Sequence, residues 1–448
     1  MKPKYFAIAA CLTAMLPIQA QELSFSGSDK PVFDTVPAKS TGLDHLYVLH
    51  SAAGVSMTYT ALDAASPVTW YTFGPQGGGY AEELTSGVTR DGGVSTLEQV
   101  MPNMGYILEE GTTRTYVWVV NYADYPLHLG SVTPEPAGDC GTATLDVEGS
   151  GRDIDYYTIT GVRKVLDRDI QLSYYTLRWS DESVQWEQVD TIDSQESFKS
   201  TIVVPAPLCN TAFTLAGDRF LRYWGEGLSV ESDTYTTRAV DCKTTAVQAP
   251  RDKNHNNERG VVEGQLGGSA PAAITFTAYP TDAVTHYEWQ QADDPNFDQI
   301  TLRLNDNVVE QTFDDAGTFY WRYIGTNSDG SCQATSETYT VSIGESELLI
   351  PNIFSPGSTE GINDVWKVSY RSIVDFHCVI FNAWGNKIIE LNDPSEGWDG
   401  TYKGKLVDTG VYYYVLRATG SDGKKYKKSG DINILRYKRN KVASTPNP

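Results

Sequence analysis

The sequence predicts an all-β fold made of several β-sandwich modules in series. Its 448 residues include 27 Tyr, and Gly and Pro together number 60 (39 and 21). Strand-forming aromatic residues separated by turn residues favour β-modules over helical ones. The chain also lacks a sustained apolar repeat with the period of a helix. It is too long for one hydrophobic core, so we expect three or four domains.

Residues 1–20 have the pattern of a signal peptide. Two lysines precede Tyr5–Leu16, which is nearly all apolar, and Ala20 is a small residue at a plausible cleavage point. The apolar run is too short to span a bilayer, and no later segment approaches the ~20 apolar residues of a membrane helix. We therefore expect an exported chain with no transmembrane segment of its own. An alternative is a lipoprotein signal ending at Cys11, although the apolar stretch before this cysteine is very short.

Charge is distributed unevenly along the chain. The whole sequence has 35 basic and 57 acidic residues, a net charge of −22. From Leu348 to the end there are 14 basic and 10 acidic residues (+4), so the remainder has 21 and 47 (−26). Nucleic-acid binding places Lys and Arg against phosphates, so the acidic body argues against a nucleic-acid partner.

Short β-rich segments and turn residues divide the chain that follows the signal peptide. A first β-sandwich module is predicted over 21–135 and a second over 136–246, with strands bounded by Gly, Asp, Asn or Pro. Residues 247–272 are predicted to be a linker, because Arg251–Arg259 is entirely polar and Gly267–Pro271 is rich in turn residues.

Three of the five cysteines beyond the signal peptide fall in the predicted second module. An exported chain can form disulfides, so we expect at least one bridge among Cys140, Cys209 and Cys242, with the pairing left open. No cysteine belongs to a CxxC pair, which leaves zinc and redox motifs unsupported. Cys378 alternates with apolar neighbours and is predicted to be a buried residue on a strand.

Residues 273–346 carry the pattern of a third sandwich. Trp289 lies in a strand-like segment, where its ring could face a core. A turn at Asp314 leads into a Tyr/Trp-rich strand, and a second turn follows at 327–330. This combination resembles the late strands of immunoglobulin-like or PKD-like domains. The prediction for the chain is thus tandem immunoglobulin-like β-sandwiches followed by a C-terminal β-sandwich.

The C-terminal module is predicted over 347–437, with a tail at 438–448, and it carries several ordered motifs. They are Leu348–Pro356, Gly361–Lys367, Val379–Gly385, Trp398–Gly404, Gly410–Tyr414 and Gly430–Arg436. In order and spacing they resemble the type B C-terminal sorting domain of Bacteroidetes type IX secretion substrates, also called the gliding-motility-associated C-terminal domain. The residues that carry the resemblance are Pro351, Asn352, Phe354, Pro356, Asn363, Asp364, Phe381, Asn382, Trp384, Gly385, Trp398, Asp399, Gly400, Gly404, Gly410, Tyr412, Tyr413, Gly430 and Arg436.

The resemblance implies a β-sandwich that directs the chain across the outer membrane by type IX secretion. It also implies two partners, the outer-membrane translocon and a PorP/SprF-type outer-membrane protein. Two features depart from the family: Gly357–Gly361 replaces its usual Asn-Gly-Asp-Gly stretch, and the chain continues past its terminal strand. Alternation agrees with a sandwich, because Phe376, Cys378 and Ile380 share one face of a predicted strand.

Four lysines form a basic cluster in a hairpin-like segment of this module. They are Lys424, Lys425, Lys427 and Lys428. A solvated hairpin would explain them. The alternative hypothesis is that they dock on an acidic face of the outer-membrane partner, where opposite potentials would speed the encounter.

The sequence supports no catalytic, cofactor or metal site. It lacks HExxH, Gly-x-Ser-x-Gly, P-loop and Rossmann glycine patterns, and its six histidines have no metal-ligand spacing. Asp293–Asp298 resembles the opening of an EF-hand loop, but Gln299 replaces the glycine and Asn305 replaces the final Glu, so a strand-connecting loop is expected.

The predicted function is therefore binding or assembly at the cell surface, with a protein or a glycan as ligand, and no enzymatic activity. One alternative is an accessory subunit retained with the type IX secretion or gliding apparatus at the outer membrane. An alternative of another class is a secreted hydrolase with an unrecognised site.

Overall fold

The computed structural model describes residues 22–435, apart from 64, 137, 252–254 and 359–360. The predicted signal peptide and tail lie outside these residues. Nearly all described elements are β-strands, which confirms the all-β prediction. The chain forms two compact units: residues up to Thr176 with Gln188–Thr237, and Leu177–Glu187 with residues from Arg238 onwards. Of the helices in the described part, none combines the length and apolar character that crossing a membrane requires.

The first module consists of two sheets around one apolar core. Its strands are β1 (Glu22–Ser26), β2 (Phe33–Thr35), β3 (His45–Leu49), β4 (Ser56–Thr60), β5 (Val68–Phe73), β6 (Glu82–Glu83), β7 (Val88–Asp91), β8 (Val94–Leu97), β9 (Met104–Glu110) and β10 (Thr113–Asn121). The sheet orders are β1-β4-β8-β7 and β2-β3-β10-β9-β5-β6. Strand β10 is apolar on both faces, because Val117 and Val119 join this core while Trp118 and Val120 join the core of the second module.

The second module begins before its predicted start at 136. Its elements are β11 (Leu127–Pro134), β12 (Thr142–Gly151), β13 (Ile154–Tyr157), β14 (Arg163–Leu166), β15 (Ile170–Ser180), β16 (Gln185–Gln195), β17 (Thr201–Pro205), β18 (Thr214–Ala216), α1 (Arg219–Trp224) and β19 (Ser229–Glu231). The main sheets are β11-β12-β17 and β16-β15-β18-β19, and β13-β14 is a separate ribbon. Helix α1 was not predicted. It is held at its start by the Asp218 side chain, which accepts from Leu221 N at 3.0 Å, and ends at Gly225 in the left-handed region.

The third module packs two sheets around two buried tryptophans. Its strands are β20 (Cys242–Gln248), β21 (Leu266–Gly268), β22 (Ala272–Pro280), β23 (His286–Ala292), β24 (Ile300–Leu304), β25 (Val308–Phe313), β26 (Gly317–Thr326), β27 (Gln333–Thr335) and β28 (Tyr339–Ile343). The sheets are β20-β22-β25 and β21-β28-β26-β23-β24, with β27 on β26. Trp289 is fully buried as predicted, and Trp321 stacks on Phe276 with ring centres 4.5 Å apart.

The predicted linker at 247–272 is wrong. Strand β20 pairs with β22 along its whole length, and β21 pairs in parallel with β28, so both are part of the third module. The polar segment between them contacts the C-terminal module: Asn257 Nδ2 donates to the carbonyls of Val368 and Pro394 at 2.6 and 2.8 Å. The Asn257 side chain thus provides hydrogen bonds to partly buried carbonyl groups of a neighbouring module. The polar composition of the segment alone does not reveal these contacts.

The predicted disulfide among three cysteines is also wrong. Cys140 and Cys332 are the disulfide-bonded cysteines. Cys209 keeps a thiol that donates to the Tyr175 carbonyl at 3.6 Å. Cys242 opens β20 and packs in the core of the third module, where burial raises the pKa of its thiol to about 11. The shifted module boundary is the physical reason for the two pairings that involve Cys242, because it separates this residue from Cys140 and Cys209.

The C-terminal module is built on a five-stranded sheet. Its strands are β29 (Glu347–Leu349), β30 (Ile353–Phe354), β31 (Ser369–Arg371), β32 (Ile373–Phe381), β33 (Lys387–Leu391), β34 (Thr401–Tyr402), β35 (Lys405–Leu406), β36 (Gly410–Gly420) and β37 (Lys425–Ile434). The sheet order is β30-β37-β36-β32-β33, and β29-β31 and β34-β35 form ribbons. Phe376, Cys378 and Ile380 are buried together, which confirms their predicted shared face.

Candidate functional site: the C-terminal module

Two tryptophans form the centre of the C-terminal module. Trp366 and Trp398 exchange backbone hydrogen bonds of 2.8 and 2.9 Å and are both fully buried. The Trp366 indole donates to the Pro351 carbonyl at 2.7 Å, and the Trp398 indole donates to the Thr401 carbonyl at 2.9 Å. The N–H group of each indole thus has a hydrogen-bond acceptor inside an apolar core.

Phe354 and Tyr412 both pack against this centre. Their rings lie 5.3 and 5.1 Å from the ring of Trp398. Phe354 lies on β30, which pairs with the end of β37, whereas Tyr412 lies on β36 and donates to the Asp408 carbonyl at 3.1 Å. Four separate motifs of the sequence therefore meet at one aromatic cluster.

The loop before Trp366 is held by the Asn-Asp pair. Asp364 accepts from Gly357 N at 3.0 Å and from Gly361 N at 2.6 Å, and Asn363, with φ 53°, accepts from Ser355 N at 2.8 Å. Asn tolerates this left-handed conformation better than most residues. These bonds close the loop although its sequence departs from the family pattern at Gly357–Gly361.

The turn after Trp398 requires a glycine. Asp399 Oδ1 accepts from Thr401 N at 2.9 Å and from its hydroxyl at 2.7 Å. Gly400 has φ +77°, and a Cβ there would lie 2.6 Å from the Pro356 ring. Pro356 and Gly400 therefore fit together only because the glycine has no side chain.

The turn between β32 and β33 presents an exposed tryptophan. Asn382 Oδ1 accepts from Trp384 N at 3.1 Å and Asn386 N at 2.9 Å, so this side chain organises the turn. Trp384 itself is 84% exposed. Phe381, which precedes the turn, is half-buried.

Strand β36 has a buried side and an exposed apolar side. Val411, Tyr413 and Val415 alternate on the exposed side. On the neighbouring strand β32, Phe381 lies opposite Tyr413 and Val379 lies opposite Val415. The result is a strip of exposed and half-buried apolar side chains across the sheet.

The motif residues thus separate into two classes. Phe354, Trp398, Tyr412 and the turn-forming Asn, Asp and Gly residues build the fold, whereas Trp384 and Tyr413 are available for contact. Arg436 lies outside the described residues. The sequence could identify the motif, but it could not separate these classes, because exposure depends on how the strands pair.

All four lysines of the basic cluster are exposed on or beside the start of β37. Lys424 belongs to the turn closed by Gly420 N donating to its carbonyl at 2.8 Å. Alternation places Lys425 and Lys427 on one side of the sheet and Lys428 on the other. Their docking role remains a hypothesis, and their common position at one end of a strand agrees with it.

Sequence reasoning missed the polar contacts that hold residues 255–259 against this module. His255 Nδ1 lies 2.8 Å from the Tyr370 hydroxyl, and Arg259 N donates to the Tyr370 carbonyl at 2.7 Å. Glu258 is almost fully buried and pairs with Arg251 at 3.0 Å. No local sequence signal marks the contacts to Tyr370, since this residue lies more than a hundred positions from His255 and Arg259.

One exposed ion-pair network lies on the outer side of β32 and β33. Glu390 lies 2.7 Å from Lys387 Nζ and 2.8 Å from His377 Nε2. Hydrogen bonds from Lys387 and then His377 lower the pKa of this carboxyl to about 2. The side chains of this network are exposed, so it should contribute little to the free energy of unfolding.

The acidic loop at Asp293–Asp298 connects β23 and β24, as predicted. Asp294 Oδ1 accepts from Asn296 N at 2.9 Å and from Asp298 N at 3.3 Å. The described part of the chain has no group of three or more His, Cys, Asp or Glu placed to hold a metal ion.

Two family models match this chain. Residues 348–434 match the CHU_C type IX secretion signal domain, and residues 131–232 match a fibronectin type III domain. A search of curated proteins gave no match. The first match covers the module just described, and the second covers β12–β19 with the second half of β11.

Solved structures similar to this chain are tandem β-sandwich proteins. The FN1–FN3 domains of chicken CNTN1 are 12% identical with a TM-score of 0.24, covering 69% of this chain and 99% of that one. An ice-binding Ca2+-stabilised adhesin of an Antarctic bacterium is 11% identical with a TM-score of 0.18, and the match covers 90% of this chain and 99% of the adhesin chain. TM-scores this low carry no argument about function. By the family matches, this chain contains a type IX secretion signal domain over 348–434 and a fibronectin type III domain over 131–232.

Proposed function

We propose that this chain is an exported binding or assembly protein that type IX secretion delivers to the cell surface through its C-terminal domain. The observation that carries the proposal is the match of residues 348–434 to a type IX secretion signal domain, on a module whose motif residues form one aromatic core. A type IX signal implies interaction with the secretion machinery. The finer partners that we propose are the outer-membrane translocon and a PorP/SprF-type protein.

We further propose that the three preceding modules act by binding a surface protein or glycan and not by catalysis. The paired carboxylates Glu109 and Glu110 support this, because both are engaged in local structure. Glu110 accepts from Tyr59 Oη at 3.1 Å and Asp63 N at 3.0 Å, and Glu109 pairs with Arg114. Screening a purified fragment of residues 22–345 for protease and glycosidase turnover tests this, and turnover above background contradicts it.

Removing residues 348–448 tests the export proposal. In the native host, the truncated chain is expected to accumulate in the periplasm, because it no longer presents the secretion signal. The measurement is the distribution of the chain between periplasm, cell surface and medium. A matched control carries Lys403→Gln in the full chain and should be exported normally. Normal surface or medium levels of the truncated chain would refute the proposal.

A further inference from the structure

Strand β37 has an edge that is covered only at its end. Ile353 pairs with Asn433 and Phe354 pairs with Ile434, so β30 protects the last residues of the strand. From Lys425 to Ile432, β37 pairs with β36 on its other side, and no described strand pairs with the remaining edge. An uncovered edge of this kind is a template for an added strand.

The direction of the backbone groups along this edge follows from the register. Asn433 N donates to the Asn352 carbonyl at 2.8 Å, so its backbone faces the β30 side. Backbone groups alternate along a strand in antiparallel pairing, and the β36–β37 register runs without a shift. The N–H and C=O groups of Lys427, Ser429 and Asp431 therefore point toward the open edge.

A groove of about 800 Å³ lies at the start of β37, where Lys424–Lys428 form part of its lining. Glu347–Leu349, which pairs with Ser369–Arg371, also contributes to the lining. The Tyr426 hydroxyl donates to the Ser346 carbonyl at 2.9 Å and closes one end. The groove is lined by Arg259, Ser346, Glu347, Leu348, Leu349, Lys424, Lys425, Tyr426, Lys427 and Lys428.

The groove is strongly basic. Its lining has five cationic side chains and one carboxylate, a net charge of +4 (5 − 1). That carboxylate, Glu347, is already neutralised by Arg371 at 3.2 Å and Arg259 at 3.5 Å. Among the described residues, no carboxylate forms an ion pair with the four lysines of the basic cluster. Leu349, which is 55% exposed, adds apolar surface at the opposite wall.

We propose that the open edge of β37 binds an extended acidic segment of a partner protein as an added β-strand. Backbone groups of the edge would supply the ladder, and the lysines on both sides of the sheet would pair with acidic side chains. The proposal rests on the proposed function, since it names the kind of segment that the signal domain recognises. The chain's own tail is a poor occupant, because residues 436–448 contain four basic and no acidic residues.

The test uses the full mature chain and a short peptide of alternating Glu and Val as probe, with the same peptide carrying Lys for Glu as control. We expect only the acidic peptide to bind, and its affinity to fall roughly tenfold between low and physiological salt as screening increases. Hydrogen exchange should slow at the amides of Lys427, Ser429 and Asp431. The proposal would be overturned if the acidic peptide does not bind. It would also be overturned if hydrogen exchange at these amides is the same with and without saturating peptide.

Two sets of variants separate the contribution of backbone hydrogen bonds to peptide binding from the contribution of the lysine charges. Ser429→Pro removes an N–H that points toward the open edge and leaves the hydrogen bonds to β36 in place, and proline is tolerated on edge strands. Peptide binding should therefore weaken by roughly tenfold, whereas Ser429→Ala should bind the peptide normally. Lys425→Gln/Lys427→Gln/Lys428→Gln should weaken binding by a similar factor, whereas Lys403→Gln/Lys405→Gln on the β34–β35 ribbon should not. If Ser429→Pro unfolds, the lysine variants and the exchange pattern still decide.

Two further outcomes with Ser429→Pro would argue against an added strand from a partner protein. Dimers of the parent chain that disappear with Ser429→Pro would assign the edge to a second copy of this chain and overturn the proposal. Equal binding by Ser429→Pro and the parent would show that the peptide does not add as a strand. Because binding is measured on the purified chain, its failure leaves the truncation experiment on export unaffected, and the two proposals fail separately.

Discussion

The second module and the C-terminal module place charge in opposite ways. The second module buries an ion pair: Arg168 Nε lies 3.1 Å from Asp218 Oδ2, and both side chains have no exposed surface. The C-terminal module buries tryptophans, and none of its described charged side chains is buried. The second module therefore uses a buried charge pair inside its fold, whereas the described charges of the C-terminal module lie at its surface, where the four lysines of the basic cluster can meet a partner.

The buried pair has more contacts than a simple salt bridge. Tyr122 Oη donates to Asp218 Oδ2 at 2.9 Å, and Arg168 also donates to the Tyr125 carbonyl. Asp218 caps helix α1 through Leu221 N. Burial raises the pKa of Asp218, while Arg168 and the hydrogen bonds oppose that shift. Removing one partner would leave a charge without compensation in the core.

The largest effect is expected from Arg168→Met. It should lower the free energy of unfolding by about 3–5 kcal/mol, because Asp218 stays buried and loses its counter-charge. Denaturant unfolding of the purified chain measures this. The double variant Arg168→Met/Asp218→Asn should recover part of the loss, since Asn can still cap the helix. A loss below about 1 kcal/mol for the single variant would contradict a structural role for the pair.

A pair of tryptophan variants tests the two classes within the signal motif. Trp398→Ala should lower the free energy of unfolding by about 3–5 kcal/mol, because it empties the aromatic centre. Trp384→Ala should change it by no more than about 0.5 kcal/mol, since its ring is exposed. Unfolding followed by near-ultraviolet circular dichroism measures both. Similar destabilisation by the two variants would show that the division into fold and contact residues is wrong.

Changing Lys424, Lys425, Lys427 and Lys428 to Gln should leave stability within about 0.5 kcal/mol of the parent, because all four are exposed. The same variant should co-purify less with the proposed outer-membrane partner, most clearly at low salt. Co-purification equal to the parent across a salt series would refute electrostatic docking.

The smallest effect concerns the pH dependence of Glu390. The pKa of the Glu390 carboxyl in the folded state, about 2, lies below its ordinary value. The carboxylate therefore stabilises the folded chain at pH values above the ordinary pKa, and this stabilisation is lost as the pH falls toward 2. The contribution should be small because the carboxylate is exposed. Titration of the Glu390 carboxyl by NMR, with Lys387→Gln as comparison, measures the shift. A normal pKa in the parent would contradict the hydrogen-bonded network.

Local patterns predicted the parts of this protein that local chemistry determines. Alternation placed Cys378 in a core, and the C-terminal motifs predicted a signal domain that the family match confirms. Long-range partners were not predictable: Arg168 and Asp218 are 50 positions apart, and most of β20 was assigned to the second module because its partner β22 lies beyond a polar segment. Helix α1 was missed because six residues are too few for a helical period.

The central claim is that the C-terminal signal domain, with the segment that packs on it, is sufficient for passage across the outer membrane. The direct measurement is to join residues 238–448, which include the 255–259 contacts, to a reporter with its own signal peptide in a Bacteroidetes host that has type IX secretion. We predict that the reporter becomes accessible to added protease at the cell surface or appears in the medium. A folded reporter that stays in the periplasm would contradict the account.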